Sequence, residues 1–135
     1  APDFVNYQKK PDLIYRQIAY MHKQLLENPI KVLKNFYKTC NVEYSFQEVI
    51  NIETLRNALI ELQRENFSLK FNKLNFPIHT FYSTNDKVLN INKESIDFLD
   101  NDNHDISFLN EYDHGFPKTN PEICFELIYK VLEKI

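Results

Sequence analysis

In the first half of the chain, apolar residues recur every three to four positions. Across residues 11–28, Leu13 or Ile14, Gln17 or Ile18, Met21 and Leu25 share one face, which predicts an amphipathic helix. Pro29 closes it and opens a second helix over residues 29–39, with Asn28 as its cap and the proline pre-set for the first helical position. Val32, Leu33, Phe36 and Tyr37 form its apolar positions, while Lys31, Lys34 and Lys38 fall together on another face. A loop over 41–51 leads to a third helix over 52–65, with Leu55, Leu59 and Leu62 as its buried stripe and Arg56, Glu61 and Arg64 facing water.

The pattern then changes. Residues 77–83 make a β-branched and aromatic run without alternation, as expected of a strand covered on both faces of a parallel sheet. Thr84, Asn85, Asp86 and Lys87 form a polar turn after it. A short helix over 92–99, a polar loop over 100–105 and a second strand over 106–112 follow. A final helix over 121–135 has Asn120 as its cap and Cys124, Leu127 or Ile128, Val131 and Ile135 on its buried stripe. The order predicts an α/β protein, with a helical region over 1–68 followed by a strand-helix-strand-helix segment of a parallel sheet over 69–135. Two parallel strands alone do not make a stable sheet, and nothing else in the chain reads as a strand.

Composition narrows the classes. At 135 residues the chain can build one core and not two independent domains. With 43% hydrophobic and 14% aromatic residues it is not disordered. A net charge of −3 gives no general pull toward nucleic acid. No apolar run approaches the roughly 20 residues of a membrane span. Cys40 and Cys124 form no CxxC pair, and Ala1-Pro2-Asp3-Phe4 shows no secretory pattern, so a cytoplasmic protein is expected. The single glycine, Gly115, excludes GxGxxG and Walker-type phosphate loops.

In open α/β sheets, functional side chains gather beyond the carboxyl ends of the strands. Asp86 follows the first strand and His114 follows the second, and adjacent parallel strands would bring their loops side by side. A buried carboxylate there could accept the Nδ1 proton of the imidazole, fix its tautomer and stabilise its protonated form. Gly115 directly follows the histidine, as expected where the backbone turns sharply. Taken singly, Asp86 also reads as a solvated turn residue and His114 as a loop histidine. His79 reads as a packed core histidine, His22 as a helix-face residue and His104 as a loop residue.

The segment from Phe76-Pro77-Ile78-His79-Thr80-Phe81-Tyr82-Ser83-Thr84-Asn85-Asp86 to Lys87-Val88-Leu89, with Asp113-His114-Gly115-Phe116-Pro117 placing its histidine 28 positions after Asp86, resembles the C-terminal end of α/β-hydrolases. The order of acid then histidine matches that family. The preceding helices resemble its cap, inserted after the sixth strand. Within the family, the compact cap and residues 69–89 look most like the esterases of biotin synthesis that demethylate pimeloyl-carrier-protein methyl ester. The resemblance implies a serine hydrolase of carboxylic esters or thioesters, with Asp86 and His114 as catalytic residues and no metal or organic cofactor.

One part of the family pattern is missing. None of Ser45, Ser68, Ser83, Ser95 and Ser107 has a glycine two residues away, so there is no GxSxG nucleophile elbow. The oxyanion-hole amides beside the elbow are missing with it. The chain is therefore expected to be the C-terminal portion of a hydrolase and to be inactive alone.

Lys31, Lys34 and Lys38 offer a basic face for an acidic acyl-carrier protein, or simply a solvated helix face. Tyr15, Tyr20, Phe36 and Tyr37 would line an acyl pocket or pack against the sheet. Asp100, Asp102, His104 and Glu111 brush a calcium-loop template, but its required glycine position is Asp105, so no metal site is expected. The alternative to an esterase is a non-catalytic helical binding module with a small α/β tail.

Overall fold

The computed structural model describes residues 2–45, 49–96 and 103–133. Three helices form the first layer: α1 (Pro11–Glu27), α2 (Pro29–Thr39) and α3 (Ile52–Arg64). The Asn28 side chain accepts the Lys31 amide at 3.2 Å and so caps α2, and Asn51 caps α3 by accepting the Thr54 amide at 2.9 Å. Helix α1 packs against both α2 and α3, and buries Ile18 and Leu25. Coverage is thinner than the periodicity suggests, because α2 and α3 contain no buried residue. Phe36 and Leu62 are exposed, and Arg56, expected to face water, is half-buried.

The second half runs α4 (Ser68–Phe71), β1 (Ile78–Ser83), a 3₁₀ turn (Lys93–Ser95), β2 (His104–Leu109), α5 (Phe116–Thr119) and α6 (Pro121–Leu132). Strands β1 and β2 are parallel, in a register from Ile78 opposite His104 to Ser83 opposite Leu109. The core holds Tyr7, Tyr82, Ile91 and Ile96, with Phe71, Leu89, Ile106 and Phe108 packed against it. The stretch before α1 is part of this core. The Lys9 amide donates to the Asn90 carbonyl at 3.0 Å, the Asn92 amide to the Tyr7 carbonyl at 2.7 Å, and Gln8 forms an antiparallel bridge with Ile91.

The architecture is mixed helix and strand with a two-stranded parallel sheet, consistent with the α/β class. The second strand lies earlier than residues 106–112. His104 and Asp105 enter it because each finds a polar partner on β1, and the chain leaves the sheet at Leu109, just before Glu111 adopts a left-handed φ of 72° that no strand can continue through. In β1 only Tyr82 and Ser83 are buried, so the strand is not covered on both faces. Of the helix expected over 92–99, a single 3₁₀ turn is present; residues 97–99 lie outside the described residues, as do Asp100, Asp102 and Ile135.

Asn120 does not cap α6 with its side chain, which instead accepts from the Thr119 hydroxyl at 3.0 Å. No residue of α6 is buried: Cys124, Leu127 and Val131 are half-buried, whereas Phe125, Ile128, Tyr129 and Leu132 are more than half exposed. Among the described residues, no helix is long and apolar enough to cross a membrane.

Candidate functional site

Strand β1 ends at Ser83, and the chain turns at once so that the Thr84 amide reaches the Leu109 carbonyl at 2.9 Å. Asp86 then folds back on its own backbone. Its Oδ1 accepts the Val88 and Leu89 amides, both at 2.8 Å, which fixes the carboxylate by the local turn chemistry that aspartate favours. Its second oxygen, Oδ2, accepts Nδ1 of His114 at 2.8 Å. Burial opposes ionisation of this carboxyl, but the bonds from His114 and the Leu89 and Val88 amides outweigh it and hold its pKa below the ordinary carboxylate value.

His114 is reached by a loop that doubles back over the end of β1. Glu111 takes the left-handed turn, the Ser83 hydroxyl donates to the Tyr112 carbonyl, and Asp113 Oδ1 accepts the Gly115 amide at 3.1 Å. Gly115 is required for close approach rather than for a left-handed turn, since its φ is −84°. A Cβ at this position would collide with the Val42 side chain and the Cys40 carbonyl at the end of α2.

With an ionised carboxylate on Nδ1, the proton sits on that nitrogen and the Nε2 lone pair is left available. Nε2 has no partner among the described residues. The ring is about one-third exposed, against one-tenth for the Asp86 side chain. It borders a cavity of about 330 Å³ whose walls include Phe71, Phe81, Tyr82, Leu89 and Phe116. Burial pushes the Tyr82 hydroxyl up to about 12, so this wall stays neutral. An imidazole so held can take a proton at Nε2 while Asp86 stabilises the resulting cation. Ser83 shares the cavity, but its hydroxyl is committed to the Tyr112 carbonyl, and no described hydroxyl or thiol is bonded to His114.

The other residues singled out in the sequence lie elsewhere. Lys31, Lys34 and Lys38 are exposed on α2, with Lys34 Nζ 5.8 Å from the centre of the Tyr44 ring. His79 is not a core residue; it pairs across the strands with the half-exposed Asp105 at 3.3 Å. His104 is not a loop residue but a buried strand residue bonded through Nε2 to the Thr80 hydroxyl at 2.7 Å. Tyr15, Tyr20 and Phe36 are exposed, and Tyr37 packs edge-on against Tyr44; none of the four lines the cavity.

Two residues with a part in the site went unrecognised in the sequence, Asn41 and Asp113, whose side chains bond to each other. The available signals were an asparagine just past a helix end and an aspartate two residues before a glycine. No protein-family model matches this chain, and no curated protein matches it in sequence.

Proposed function

We propose that the chain is the C-terminal portion of a serine carboxylic-ester hydrolase, with His114 as general base and Asp86 as the residue that orients it. The observation that carries this reading is the 2.8 Å bond from His114 Nδ1 to a largely covered, doubly amide-bound carboxylate beyond the ends of two adjacent parallel strands. The nucleophilic serine lies outside this chain. Its hydroxyl proton passes to Nε2 of His114 as its oxygen attacks the ester carbonyl. The same proton leaves with the alcohol, and water activated by His114 then releases the acid.

The incomplete cover of β1 and the exposed apolar stripe of α6 support the presence of further sheet strands in the parent. The apolar walls of the cavity suit an acyl chain, and a carrier-protein methyl ester is the proposed substrate, with Lys31, Lys34 and Lys38 meeting the acidic carrier. The reading is tested by determining the coding sequence upstream of residue 1. A GxSxG elbow within a strand-and-helix region is expected, and a start codon directly before Ala1 contradicts it. Reversing the charge of Lys31 and Lys34 should weaken use of the carrier-bound ester and spare small esters; equal loss on both excludes the carrier.

A further inference from the structure

The C-terminal end of α2 reaches across the molecule to the loop that carries the histidine. Asn41 lies just past the helix in the left-handed region, with φ 57°, its amide on the Lys38 carbonyl at 3.1 Å and the Val42 amide on the Tyr37 carbonyl at 3.0 Å. This arrangement satisfies the Tyr37 and Lys38 carbonyls near the end of α2, and asparagine is one of the few side-chain-bearing residues that adopt it readily. Its Nδ2 is then in place to donate to Asp113 Oδ2 at 2.5 Å. The other Asp113 oxygen holds the Gly115 amide, and Gly115 is pressed against the Cys40 carbonyl and the Val42 side chain. The residues on both sides of His114 are thus fixed from α2, while the ring itself has, among the described residues, a single bond, to Asp86.

We propose that Asn41 and Asp113 are positioning residues, a clamp that holds the His114 ring in the orientation that keeps Nδ1 on Asp86. Its bearing on catalysis rests on the esterase reading; its bearing on the ring does not. An imidazole tethered at one nitrogen keeps a productive orientation only if its own backbone is fixed to about 0.5 Å. The Asn41 bond is exposed and lies outside the buried core, so its loss is read at the ring.

The test is ¹⁵N-histidine NMR of the 135-residue chain at mildly alkaline pH. In the native chain His114 should show one tautomer, with a protected proton on Nδ1. N41G accommodates the left-handed backbone and removes the side chain that reaches Asp113; it should lose that proton resonance and show averaged ring nitrogens. The double variant N41D/D113N exchanges donor and acceptor, with the amide at position 113 now donating to the carboxylate at position 41, and should restore the native signals. Native ring signals in N41G overturn the clamp, as does a double variant no better than N41G. No ester is needed for this readout, so a clamp that behaves as stated, together with no esterase activity in the polypeptide expressed with the coding sequence that precedes residue 1, refutes the proposed function and leaves the clamp standing.

Discussion

Two histidine–aspartate pairs link the β1 side of this molecule to the β2 side, and they differ in almost every respect that matters for chemistry. His79 and Asp105 are opposite each other within the strands, 3.3 Å apart, with the aspartate side chain half exposed. His114 and Asp86 lie in the loops past the strand ends, 2.8 Å apart, with the aspartate side chain nine-tenths covered. Along a strand, successive backbone amides point to opposite sides, so two adjacent amides do not converge on one carboxylate. Beyond it, the Val88 and Leu89 amides are free to bind a carboxylate, which keeps Asp86 ionised despite its burial. The loop position therefore supplies what the strand position cannot: a fixed, charged acceptor that sets the tautomer of a ring bordering a cavity.

The largest expected effect is from Asp86→Ala, which strands two amides and unties His114 and should cost about 3 kcal/mol of stability by urea unfolding. A loss under about 1 kcal/mol would erase the contrast between the pairs. Gly115→Ala should follow, at about 1–3 kcal/mol, because the added methyl group meets the Cys40 carbonyl and Val42 and something must shift. It should also move the His114 ring signals.

The acid limb of stability separates the pairs further. Asp86 has a lowered pKa in the folded state, so its stabilisation is complete above the ordinary carboxylate value of about 3.9 and is lost as pH falls through the lowered folded value. Urea midpoints measured from neutral to acid pH should therefore fall less steeply below about pH 4 in Asp86→Asn than in the native chain. Parallel curves would mean that the carboxylate is not specially held. The smallest effect belongs to Asp105→Ala, at about 1 kcal/mol or less for an exposed pair, with His114 signals unchanged.

Helices α1, α2 and α3 were legible because the signals that set them are local: apolar spacing in all three, and for α2 also Pro29 at the first helical position with Asn28 as its cap. Both strands were legible in kind, and so was the meeting of Asp86 and His114, which follows from parallel pairing. The register of β2 was not, since His104 and Asp105 look like loop residues until Thr80 and His79 are placed opposite them. The insertion of Tyr7 and Gln8 beside Ile91 and Asn92 was also hidden, because no local pattern marks a contact between segments so far apart. Asn41 and Asp113 escaped for the same reason: their bond spans 72 residues of sequence.

The role of His114 as general base is tested by hydrolysis of p-nitrophenyl butyrate by the polypeptide expressed together with the coding sequence that precedes residue 1, compared with the same polypeptide carrying His114→Ala. Turnover is expected in the first and a loss of about 10³-fold or more in the second. Undiminished turnover in the His114→Ala protein, or His114-dependent turnover by the 135-residue chain alone, would contradict this reading.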